Sequence, residues 1–233
     1  MKTSLIDDSQ KWTKLLKIGG MMAFAVIGLI PIQLMVFVMF PPPETAVDFI
    51  SLFRDNWFVG MLGLDLLYII NNVFMIFVYL GIFAALRKTD FSLALIAVTL
   101  GFIGIASYFA STVIFEMKII SDQFILAQNA DVKNQLIAAA QLLLANYKGT
   151  AFVVYYILNG ITLLLISWIM FRSSTFTRAT SIWGFVSGIL MLVPSTFGTI
   201  GMVFSIASLV PWIVFSILFG KRLIILSKKN ETN

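Results

Sequence analysis

Asp65, Tyr68, Asn72 and Tyr79 follow one another at steps of three, four and seven residues inside a stretch that is otherwise almost wholly apolar. At 3.6 residues per turn those steps keep all four on one face of a helix. A carboxylate, two phenols and a carboxamide on one stripe can titrate a proton or hold a polar ligand. Tyr155 and Asn159 repeat the Tyr-x-Ile-x-Asn pattern of Tyr68 and Asn72 later in the chain. These six residues form the candidate ligand-binding set. A charge within a membrane span costs about 2.5–3.5 kcal/mol, so Asp65 should face protein or a water-filled cavity rather than lipid. It also stands far enough before Arg87 to lie near the outer headgroups, where it would only anchor the helix. Asn72 and Asn159 each stand about 20 Å from the basic residue ending their stretch, at about 1.5 Å per residue. They are placed either to bond each other as packing glue between helices or to contact a ligand.

The remaining chemistry is narrow. The chain has neither cysteine nor histidine. Disulfides, thiolate nucleophiles, imidazole-ligated haem and histidine–cysteine zinc sites are therefore excluded, as are Ser-His-Asp and Cys-His catalysis. A retinal Schiff base would need a lysine in mid-membrane, and the apolar stretches offer none. Met21, Met22, Met35 and Met39 read as packing filler rather than a metal site. No cofactor is expected.

The elements that must position these residues are apolar stretches at Leu15–Phe40, Trp57–Leu86, Phe91–Phe115, Thr150–Phe171, Thr177–Val193 and Thr199–Phe219. A bilayer core takes about 20 apolar residues per helix, so six transmembrane helices are expected. Placing the amino terminus in the cytoplasm puts 12 Lys and Arg inside, and leaves Arg54, Lys118, Lys133 and Lys148 outside. The positive-inside rule then sets both termini in the cytoplasm of a multi-pass cell-membrane protein. The basic residues sit singly or in pairs beside the stretches, which suits anionic lipid headgroups and argues against a nucleic-acid partner.

The connecting segments carry their own signals. Residues 1–14, with Asp7, Asp8 and three lysines, read as a solvated tail, and the apolar run after them is too long for a cleavable signal peptide. Pro41-Pro42-Pro43 ends the first stretch. Residues 44–56 place apolar residues at helical spacing opposite Glu44, Asp48 and Asp55, predicting a short amphipathic helix. The long segment 116–149 is predicted to be extracytoplasmic and helical, with Asp131–Tyr147 carrying one apolar stripe. Glu116 and Lys118 read as a solvated pair. Gly184-x-x-x-Gly188 allows close helix approach, within the chain or in an oligomer. The tail is expected to be disordered beyond Ser227.

The last third carries Asn159, Arg172-Ser173, Phe176, Gly184, Gly188-Ile189-Leu190, Pro194, Gly198-x-x-Gly201 and Ser208-Leu209-Val210-Pro211-Trp212. In these positions the chain resembles an uncharacterised bacterial family of six-helix integral membrane proteins known only as a domain of unknown function. The resemblance implies an all-α membrane fold and brings no catalytic residues. Three functions remain open. The first is small-molecule binding, sensing or transport through a pocket between the second and fourth spans. The second is an accessory subunit acting through a membrane-protein partner. The third is an intramembrane enzyme using Asp65 and Glu116.

Overall fold

In the computed structural model the backbone is described for residues 3–231 and the side chains for residues 11–231. Asp7 and Asp8 of the expected solvated tail lie outside the residues whose side chains are described. Among the described residues the chain is all helix: α1 (Thr3–Met39), α2 (Ala46–Asp55), α3 (Trp57–Gly63), α4 (Leu66–Leu86), α5 (Phe91–Ser111), α6 (Ile114–Leu126), α7 (Ala130–Tyr147), α8 (Thr150–Arg172), α9 (Arg178–Met191) and α10 (Gly198–Glu231).

Five segments of the described chain are helical, long and apolar enough to cross a membrane: Lys11–Met39, Leu66–Leu86, Phe91–Leu126, Ala130–Arg172 and Gly198–Glu231. The protein is thus a membrane protein by its helices. The stretch expected to span at 177–193 forms only α9, which has 14 residues. It starts at Thr177, whose hydroxyl accepts from the Thr180 amide at 3.3 Å, and it ends where the turn before Pro194 begins. The stretches at 57–86 and 91–115 are also not single helices. The first breaks at Leu64–Asp65 and the second at Thr112–Val113.

Contacts divide the chain into two compact units. Unit 1 comprises Met1–Gly28, Asn72–Ala106 and Val154–Asn233. Its helices pack through small residues, as membrane helices do where apolar area alone cannot drive association. A Cβ on Gly19 would lie 2.8 Å from the Gly81 Cα, so α1 and α4 touch backbone to backbone there. Gly20 meets Gly220 and Ile224 of α10 in the same way. Gly184 lies buried under Ser167 and Phe215, and Gly188 under Leu164, all within this unit.

Several contacts bring chain ends together at one end of unit 1. Lys17 Nζ lies 3.4 Å from Glu231 Oε1, tying α1, where its apolar stretch begins, to the end of α10. The Arg87 guanidinium stacks over Trp12 at 4.4 Å, and Thr89 bonds Ser173 at 3.2 Å. Arg222 donates to the Thr175 carbonyl at 2.5 Å. This end therefore gathers basic residues of three separate segments, Lys17, Arg87 and Arg222. The expected disorder beyond Ser227 is not found: α10 continues to Glu231, because Leu223 and Ser227 are buried and hold its last turns.

Unit 2 comprises Leu29–Asn71 and Ser107–Val153. The amphipathic helix expected at 44–56 is α2, capped by Thr45, which accepts from the Asp48 amide at 3.2 Å. Its buried face is Ala46, Phe49, Ile50 and Phe53, while Val47 is exposed. That face packs with Leu64, Ile114, Met117 and Ala140 into a small core. Ser121 of α6 donates to the Ile50 carbonyl at 2.8 Å, fixing the two helices in register. Lys118 pairs with Asp122 one turn along α6, at 2.5 Å, and not with Glu116, because the i,i+4 step puts opposite charges on one face.

Candidate functional site

The helix break at Asp65 builds the site in unit 2. α3 ends at Gly63, and the Leu64 amide turns back onto the Gly60 and Met61 carbonyls. Asp65 then takes φ of 65°, the left-handed conformation that few residues other than glycine, asparagine and aspartate adopt. Its own carbonyl accepts from the Tyr68 and Ile69 amides at 2.9 and 3.1 Å, opening α4. One residue thus closes one helix and starts the next. It stands immediately before the membrane-spanning segment Leu66–Leu86.

The side chain of Asp65 is half-buried, and its Oδ2 accepts a hydrogen bond from the Tyr147 hydroxyl. Burial pushes its carboxyl up to about 6, against the opposing pull of the Tyr147 bond and of the nearby Lys148 charge. From Tyr147 the aromatic rings run on as a chain. Tyr68 meets Tyr108 edge-on at 5.1 Å, Tyr108 meets Phe152 at 6.4 Å, and Phe152 meets Tyr147 at 6.4 Å. The arrangement is a titratable carboxylate bonded to the end of a chain of aromatic rings. It can hold a proton near neutral pH and can face a positive charge.

The other predicted residues lie in unit 1. The Tyr79 hydroxyl donates to Asn159 Oδ1, and Asn159 Nδ2 donates to the Tyr155 carbonyl at 2.9 Å. Asn159 is therefore partnered by Tyr79 and its own helix, and the expected Asn72–Asn159 bond is not formed. The reason is steric. Gly101 of α5 lets the Tyr79 ring lie against its backbone, and Gly104 does the same for the Asn159 amide. A Cβ there would meet those side chains at 2.5 and 2.4 Å. Asn72 is buried in the same unit. Tyr79, Tyr155 and Asn159 thus form a closed, packed polar cluster, whereas Asp65 and Tyr68 sit at a helix break.

Sequence reasoning missed Tyr108, Tyr147 and Phe152. Tyr147 was legible only as a member of an apolar stripe, and no local signal ties it to a residue 82 positions earlier. Among the described residues no cluster of acidic side chains could hold a metal ion.

The family described as "Domain of unknown function (DUF4386)" matches residues 17–226. The chain belongs to this family. The match runs from the α1 face that carries Gly19 to the last turns of α10, so both units of this DUF4386 protein are covered. No curated protein and no solved structure matches the chain.

Proposed function

We propose that this DUF4386 protein crosses the cell membrane six times, with both termini in the cytoplasm, and binds or senses a small cationic molecule at Asp65. The contact between Lys17 and Glu231 supports the even number of crossings, since the start of the apolar stretch in α1 and the end of α10 share one end of unit 1. α9 would be the short sixth crossing. Its 14 residues rise about 21 Å, against about 30 Å of hydrocarbon, a mismatch that local bilayer thinning accommodates. Basic residues gathered at the shared end support its cytoplasmic placement. In intact cells of a Lys88→Cys variant an impermeant thiol reagent should not label, whereas Lys133→Cys should label. The opposite pattern would overturn the orientation.

The observation that carries the binding reading is the half-buried Asp65 carboxylate, held by Tyr147, from which a chain of rings runs through Phe152 and Tyr108 to Tyr68. A carboxylate supplies the counter-charge, and aromatic faces attract cations through their quadrupoles. Lys148, exposed at the end of α7, is the charge that a bound cation would displace. Because the carboxyl titrates near 6, it is charged at neutral pH and neutral in acid. Cation affinity should therefore fall as pH drops through about 6. Tetramethylammonium should raise the melting temperature of the purified protein at pH 7.5, relative to sodium at equal ionic strength. Asp65→Asn should abolish that rise. A wild type that does not respond, or an Asp65→Asn variant that responds equally, would end this reading.

A further inference from the structure

The basic end of unit 1 holds an open pocket of about 300 Å³. Two turns that are far apart in sequence form its walls. Arg87, Lys88 and Thr89 come from the turn between α4 and α5, and Ser174 and Thr175 from the turn between α8 and α9. Asn230, in the last turn of α10, closes one side, and Leu16, Ala84, Ala85 and Leu226 make an apolar floor. The polar lining consists of two cations, three hydroxyls and one carboxamide, with no carboxylate.

The walls are held in place from behind. The Arg87 guanidinium is fixed by the Ala84 carbonyl and by stacking over Trp12. Arg222 grips the Thr175 carbonyl, and Thr89 bonds Ser173, so the two turns are locked to each other. Of the acidic residues adjoining the lining in sequence, Glu231 pairs with Lys17 at 3.4 Å, and Asp90 caps α5 by accepting from the Leu93 amide at 3.0 Å. It lines a separate small pocket with Arg172. Lys88 is exposed and has no carboxylate partner among the described residues.

Fixed guanidinium and ammonium donors beside hydroxyls suit an anion with several oxygens, because each oxygen can take a charge-assisted or hydroxyl bond. An apolar floor leading from such donors suits a group whose other side is hydrocarbon. We infer that this pocket binds a phosphate group, as carried by an anionic phospholipid headgroup or by a soluble phosphate compound. A phospholipid would meet it at the membrane surface, where basic residues attract anionic leaflets.

The test uses the full chain in neutral detergent, with dioctanoyl phosphatidylglycerol, inorganic phosphate and octanoate as separate probes. Binding is read by thermal melting and native mass spectrometry. The phospholipid should bind saturably, and Lys88→Gln should weaken it about tenfold. Lys88→Arg should bind as wild type does. Lys14→Gln, an exposed basic position outside the lining, should leave binding unchanged. A Ser174→Ala variant, which touches only an exposed hydroxyl, should weaken binding about threefold and covers the case of a misfolded Lys88→Gln. Competition by inorganic phosphate would assign the pocket to a free phosphate, whereas binding of the phospholipid alone would assign it to the membrane. Either outcome supports the site. Equal binding of octanoate, equal loss in Lys14→Gln, or no binding by any phosphate probe would overturn it.

Discussion

Gly81→Val should prevent the folded protein from accumulating. A Cβ at Gly81 would lie 2.9 Å from the Gly19 Cα, 3.1 Å from the Leu15 carbonyl oxygen and 3.2 Å from Leu223 Cδ1. Two of these three neighbours are backbone, which cannot rotate away. Overpacking by a single methylene costs about 1–3 kcal/mol, and valine adds three carbons where not even one fits. The cost should exceed about 3 kcal/mol, a large share of the 5–15 kcal/mol that typically separates folded from unfolded chains. Gly28→Ala is the matched control, because nothing lies within 4 Å of its Cβ position. That change should be neutral or stabilising by up to about 1 kcal/mol, through helix propensity alone. Expression level and thermal melting in detergent would decide. A Gly81→Val protein as stable as the Gly28→Ala protein would show that α1 and α4 do not approach as closely as described.

At position 65 the order of stability should be Asn, then Gly, then Ala. Asn tolerates the left-handed backbone and keeps an acceptor for the Tyr147 hydroxyl. Gly keeps only the backbone. Ala keeps neither, and should fall below Asn by about 2 kcal/mol, from left-handed strain and the lost bond together. The wild-type carboxyl adds a pH dependence that none of these variants shares. Its pKa in the folded protein is raised from 3.8 to about 6 by burial, so the protonated form is favoured by folding. The stabilisation is full below about 4, is lost as pH rises through about 6, and stays lost above. Asp65→Asn should therefore be more stable than wild type at pH 8, by on the order of 2 kcal/mol. Its unfolding curve should be flat between pH 4 and 7. A wild type that gains stability across that window would contradict the burial of this carboxyl. A ranking with Ala at or above Gly would contradict the left-handed backbone.

These two sites differ in how far they could be read in advance. The apolar character of the stretches and the amphipathic pattern of residues 44–56 are local properties, and the second appears as α2, whereas two of the apolar stretches break and a third forms a helix of 14 residues. The break at Asp65 left a trace, since Gly60 and Gly63 weaken a helix just before an aspartate that accepts positive φ. Continuous hydropathy hid it, because transfer free energy is insensitive to a change of backbone direction at one residue. The length of α10 was hidden in the opposite way. Lys221, Arg222, Lys228 and Lys229 look like a solvated tail, yet Leu223 and Ser227 between them are buried and carry the helix on.

The linear sequence alone settled the fold class. A chain in lipid must satisfy its backbone internally, so long apolar stretches almost without charge dictate an all-α membrane protein. Membership of the DUF4386 family rests on the same linear information. Tertiary structure alone decided the partners. Asn159 could have met Asn72, but glycines at 101 and 104 admit Tyr79 and the Asn159 amide to the same backbone. Asp65 owes its raised titration to burial, against the pull of a bond from Tyr147, 82 residues away. The pocket at the basic end takes its walls from two turns that folding brings together, joined by the bond between Thr89 and Ser173, 84 residues apart. Hydropathy and charge act residue by residue along the chain. Hydrogen-bond choice and steric fit depend on which residues folding brings within a few ångströms.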